Sequence, residues 1–244
     1  MKKVLFALIG FLFVFGIVFV GGADSATAKK DDVKLKVFIH YPKDYGKPVR
    51  SSGCTVTAND QINDYGYAGW QMPTGGMDYK INYTTKPGNL SAAGIQNAVD
   101  LGFSAWSSAD SNQIFNYTGT TSATGAKYDG TNAVLWGRVS GSAIAVTYVW
   151  YYTASEQLVE ADTVFNKKLK WSVSNSTLGD CGGIATSYDV QNIGTHEFGH
   201  WVGLDDLYNS ADKDLTMYGY GTTGELKKDS LGLGDISGVN AIAP

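Results

Sequence analysis

His196-Glu197-Phe198-Gly199-His200-Trp201-Val202-Gly203-Leu204-Asp205-Asp206 places two histidines, a glutamate, a glycine and two aspartates at the spacing of a metal-binding helix and turn. On a helix, His196 and His200 share one face a turn apart, where both imidazoles reach a single metal ion. Glu197 is offset from that axis, close enough to touch a water at the metal without ligating it. Gly203 is a residue that can end the helix in a left-handed turn and send the chain back toward the metal. Asp206 then arrives as the third protein ligand, with Asp205 beside it and the distant Glu225 as alternatives. Zinc accepts two imidazoles and a carboxylate, although the added negative charge weakens it as a Lewis acid. The chain has only three histidines, and two of them stand in this stretch.

The spacing HExxHxxGxxD resembles that of the metzincin metalloproteases, whose usual third ligand is histidine, and within them a snapalysin-like branch that carries aspartate. Leu215-Thr216-Met217-Tyr218-Gly219-Tyr220 looks like the turn that lies beneath their metal, with Met217 as its packing base and Tyr218 in the primed-side pocket wall. Gly219 stands where the related matrixins usually have proline. Glu160-Ala161-Asp162-Thr163-Val164-Phe165-Asn166 with Trp171 looks like the last strand before their active-site helix, and Tyr188 to Ile193 like the lead-in to it. The resemblance is strongest to bacterial and archaeal matrixin-like peptidases. It implies an α+β fold: a mixed twisted sheet with an antiparallel edge strand, a long helix, the active-site helix, and a small C-terminal subdomain holding the Met-turn and a terminal helix. By the same resemblance, Ala143 to Tyr152 is the edge strand that pairs with extended substrate, by backbone hydrogen bonds that any peptide can make.

Upstream, Met1 to Ala28 reads as an export signal: Lys2 and Lys3, an apolar run from Val4 to Val20, then Ala26-Thr27-Ala28 as a small-x-small cleavage site. The run is also close to the length that spans a bilayer, so retention as a membrane anchor is the alternative to release outside the cell. Residues 29–69 form an N-terminal extension or short pro-region, and residues 70–244 the catalytic domain. Within the extension Val33 to Ile39 alternates like a strand, and His40 at its end reads as structural or solvated. Cys54 and Cys181, the only cysteines, read as a disulfide in an exported chain. The sharper alternative is a cysteine switch with Cys54 as the latent-state zinc ligand, although Ser52-Gly53-Cys54-Thr55-Val56 does not match the matrixin propeptide pattern.

From Trp70 the pattern becomes regular. Strands are expected at Met77 to Thr84, Ile114 to Thr118, Ala133 to Val139, Ala143 to Tyr152 and Glu156 to Phe165. Ser91 caps a helix with Ile95, Val99, Phe103 and Trp106 on one stripe, and Asp229 to Ile242 reads as the last helix. Asn82, Asn89, Asn116 and Asn175 stand in glycan acceptor sequons. Calcium would be only a structural addition, at Asp129-Gly130 or Asp212 to Asp214, where the acids are sparse for a calcium loop.

A net charge of −4 and the absence of a basic block argue against nucleic acid or anionic lipid as partner. The expected partner is an extended peptide or protein, the expected state a monomer, with no membrane association after signal cleavage. These readings converge on a secreted zinc endopeptidase with Glu197 as general base. The alternative is an exported binding or surface protein that keeps the fold without proteolysis.

Overall fold

The computed structural model describes residues 32–43, 62–174 and 183–242. The export signal and both members of the Cys54 and Cys181 pair lie outside them. In chain order the elements are β1 (Val33–Pro42), β2 (Gly66–Tyr67), β3 (Met77–Ile81), α1 (Ala92–Ala109), β4 (Phe115–Thr120), β5 (Ala133–Gly137) and β6 (Ala145–Tyr152). They continue with β7 (Leu158–Asn166), β8 (Trp171–Ser172), β9 (Tyr188–Asp189), α2 (Val190–Trp201), β10 (Leu204–Asp205), β11 (Tyr220–Gly221) and α3 (Leu233–Ile242).

Seven strands make the main sheet in the order β11-β1-β6-β7-β5-β3-β4. β5, β3 and β4 run parallel to β7, whereas β6 is antiparallel to it. β7 is buried along nearly its whole length, as befits a strand inside a mixed sheet covered by helices. The mixed sheet and its antiparallel strand β6 are as the resemblance implied, but the outer edge of β6, expected open, is covered by β1. Residues 32–43 and 62–69 pack in one compact unit with the rest of the described chain.

α1 begins where Ser91 Oγ accepts the Gly94 N–H, and its stripe of Ile95, Val99, Phe103 and Trp106 is buried. The stripe faces α2. Phe103 stacks on Phe198 with ring centroids 3.7 Å apart, and Trp106 Nε1 donates to the Thr195 carbonyl at 2.8 Å. Burying one such ring contributes roughly 1.5–3 kcal/mol, so this contact does much to seat α2. Asp189 caps α2 by accepting from the N–H groups of Gln191 and Asn192.

Every residue of α2 is buried. A helix so enclosed has to satisfy each polar side chain inside the protein, because burying one without a partner costs several kcal/mol. Where the partners of His196, Glu197 and His200 lie therefore decides what the helix is for.

Candidate metal centre

His196 Nδ1 lies 2.7 Å from the Thr216 carbonyl oxygen, and His200 Nδ1 lies 2.9 Å from that of Leu204. A carbonyl only accepts, so each Nδ1 carries the proton and each Nε2 is left with a lone pair. Both Nε2 atoms face the same oxygen, Asp206 Oδ1, at 3.2 Å from His196 and 3.7 Å from His200. His196 Nε2 and Asp206 Oδ1 are buried without a hydrogen-bond partner. Three acceptors converging in a buried place repel one another unless a cation lies among them, and two imidazoles with a carboxylate are a donor set that suits zinc. Burial, aided by the charge of Lys228, pulls His196 down to about 4, and burial lowers His200 as well, so both imidazoles are in the neutral, ligating form.

Tyr208 Oη donates to the other carboxylate oxygen, Asp206 Oδ2, at 3.1 Å, turning Oδ1 toward the imidazoles. Gly219 makes this approach feasible, since a Cβ there would lie 2.5 Å from the Tyr208 ring. The residue that departs from the matrixin proline thus accommodates the side chain that orients the aspartate. Gly203 adopts φ 97°, and a Cβ on it would come within 2.2 Å of the Trp70 carbonyl oxygen. Gly203→Ala is expected to cost about 2–4 kcal/mol from strain and backbone clash together, read as a lowered denaturant midpoint.

Glu197 is fully buried beside the two histidines. Thr147 Oγ1 on β6 donates to its Oε2 at 2.6 Å, leaving Oε1 unbonded and 3.3 Å from His40 Nδ1. Burial pushes the Glu197 carboxyl up to about 8, against the Thr147 hydrogen bond that favours its charge.

Met217 lies under α2. A Cβ on Gly199, the residue before His200, would meet its Sδ at 2.1 Å, so glycine is what lets the turn close on the helix. Asp235 of α3 holds that turn by accepting from the N–H groups of Thr216 at 2.8 Å and Met217 at 3.0 Å. The same turn offers the Thr216 carbonyl to His196. Tyr218 is buried, with its ring edge-on to Tyr220 at 5.5 Å and Lys43 Nζ 5.6 Å from its centre.

Several candidates fall elsewhere. Asp205 pairs with Lys36, and Glu225 accepts from Thr222 N and faces Lys227, so neither joins the two histidines. The N–H groups of Asp129 and Gly130 point at the Glu160 carboxylate, and among the described residues no metal-type cluster forms there or at Asp212 to Asp214. Asn82 is buried and donates to the Ala123 carbonyl, which closes that sequon to a glycan.

Of the two readings of His40, the solvated one is overturned: the side chain is buried, its ring lies 3.9 Å from that of His196, and with His196 and Glu197 it forms a second group of potential ligands. Lys228 also escaped notice. It is wholly buried, donates to the Tyr218 carbonyl and lies 3.3 Å from His40 Nε2, and burial pulls its ammonium down to about 8. Only the scarcity of histidine could have drawn attention to His40. No local signal marked Lys228, Tyr208 or Asp235.

The family model described as Matrixin matches residues 70–243. No individual curated protein matches the chain. The match spans most of the chain and takes in β3 to β7, α2, the Gly203 turn and Met217, so the chain belongs to the matrixin family of metzincin-type zinc-dependent endopeptidases.

Proposed function

We propose that His196 Nε2, His200 Nε2 and Asp206 Oδ1 hold one zinc ion, and that Glu197 is the general base of peptide hydrolysis in an exported endopeptidase. The observation that carries this is the convergence of three buried acceptors on one point with the Glu197 carboxylate beside them. Zinc, when bound there, supplies Lewis-acid polarisation of the peptide carbonyl and makes water easier to deprotonate. Glu197 takes a proton from the attacking water as the C–O bond forms. It then gives that proton to the amine nitrogen as the C–N bond breaks. Thr147 keeps the carboxylate aimed by bonding the oxygen that does not move the proton. Asp206 as ligand, in place of histidine, is supported by Tyr208, which leaves one carboxylate oxygen free. The substrate strand pairs with β6, and Tyr218 lines the primed side. The basic-apolar-small order of residues 1–28 supports export.

The test is cleavage of an unfolded protein, with chelation and zinc restoration. Because β1 covers β6, it is run on the full chain and on its Phe38→Ser variant, which loosens that strand. Cleavage should vanish with chelator and return with zinc. Cleavage indifferent to chelator, or none from either chain with one zinc bound, would sink the reading.

A further inference from the structure

β1 lies outside the residues that match the matrixin model, yet it fills the groove where that domain would otherwise end. It pairs antiparallel with β6 from Val33 opposite Tyr152 to His40 opposite Ala145, and parallel with β11 at Tyr41 and Pro42. β11 follows Met217 directly in the chain, so β1 runs between the sheet and the segment after the Met-turn. Its side chains alternate. Leu35, Val37 and Tyr41 are exposed, whereas Lys36, Phe38 and His40 turn inward.

Two of the inward three, Phe38 and His40, meet histidines of the site, and Lys36 meets Asp205 beside it. Lys36 Nζ lies 3.0 Å from Asp205 Oδ2 and 3.2 Å from the Ala68 carbonyl oxygen. Phe38 stacks on the His200 ring at 3.8 Å and meets Trp70 edge-on at 5.6 Å. His40 lies against His196 and Glu197, with its Nε2 close to Gly221. Its carbonyl accepts from Ile144 N at 2.7 Å, a main-chain bond that any extended peptide could make.

We infer that the groove between β6 and β11 is an extended-peptide site, which residues 33–42 occupy in cis as a substrate-like strand that keeps other peptides out. Lys36, Phe38 and His40 mark alternate subsites for a cationic, an aromatic and an imidazole-sized side chain. This rests on the endopeptidase reading above for what the groove serves. Tethering holds the strand at an effective concentration of about millimolar, so a free peptide has to outcompete it. Preferred external peptides therefore carry a basic residue opposite Asp205 and an aromatic residue two positions later.

The zinc-free full chain and its Lys36→Glu and Phe38→Ser variants are titrated with a fluorescent peptide of residues 33–42. Both variants should bind it about tenfold or more tightly than wild type, because the competing strand is weakened. A peptide with glutamate at the Lys36 position should bind the variants about tenfold more weakly than the parent peptide. Equal affinity in wild type and variants, or binding to none, overturns the inference. Should Phe38→Ser fail to fold, Lys36→Glu decides alone, since Lys36 is only partly buried and its reversal sets like charges together. With zinc loaded, both variants should cleave an unfolded protein about tenfold faster than wild type. Different affinities with no cleavage by any chain leave cis occupancy standing and sink the peptidase reading. Equal affinities with equal cleavage sink cis occupancy and leave the peptidase reading intact.

Discussion

Glu197→Gln is expected to lower kcat/KM on an unfolded protein by about a hundredfold to ten-thousandfold while one zinc per chain stays bound. The amide has nearly the shape of the carboxylate and can still accept from Thr147 Oγ1, so the packing around α2 should hold. What it loses is basicity: an amide oxygen cannot take the proton of the attacking water and return it to the amine. The comparison is made in matched chains, with zinc measured by mass spectrometry of the native protein. Turnover within a factor of about three of the parent would remove Glu197 from the mechanism, since general-base removal has a larger effect.

Asp206→Ala should act on the metal first. It removes the one carboxylate that, among the described residues, faces both Nε2 atoms, so zinc affinity should fall by more than the roughly 10–100-fold that outer-shell changes cost. Competition with a chromophoric chelator reads this without any activity assay. Glu225→Ala serves as the contrast, because that carboxylate is engaged by Thr222 N and Lys227 and should leave zinc affinity unchanged. Loss of zinc from the Glu225 variant but not the Asp206 variant would reverse the ligand assignment. Two neighbours accommodate the aspartate: Tyr208, two residues on, holds one oxygen, and Gly219 leaves room for Tyr208.

The helix that carries His196 and His200 was legible because its signal is local. Four-residue spacing places His196 and His200 on one face whatever surrounds them, and Gly203 marks a turn only glycine makes easily, as its φ of 97° bears out. α1 was legible for the same reason, through the cap at Ser91 and the stripe from Ile95 to Trp106. Strand positions also followed from alternation, although their ends differ by a few residues, as at β3, which stops at Ile81 rather than Thr84.

Alternation could not say which strand lies beside which. A strand's period assigns its side chains to faces, whereas its neighbours depend on edges that come together only when the whole sheet forms. Hence Val33 to Ile39 could be read as a strand while its place between β6 and β11 could not. His40 then looked solitary, being far in sequence from the residues that enclose it. The same holds for Asp235 beneath the Met-turn and for Lys228 against His40, whose partners are set by folding rather than spacing. Spacing within a few turns of chain was enough for the His196 helix, the family and the kinds of element. The position of β1 beside β6 needed the folded chain, because the antiparallel ladder from Val33 to His40 joins segments that no local pattern relates.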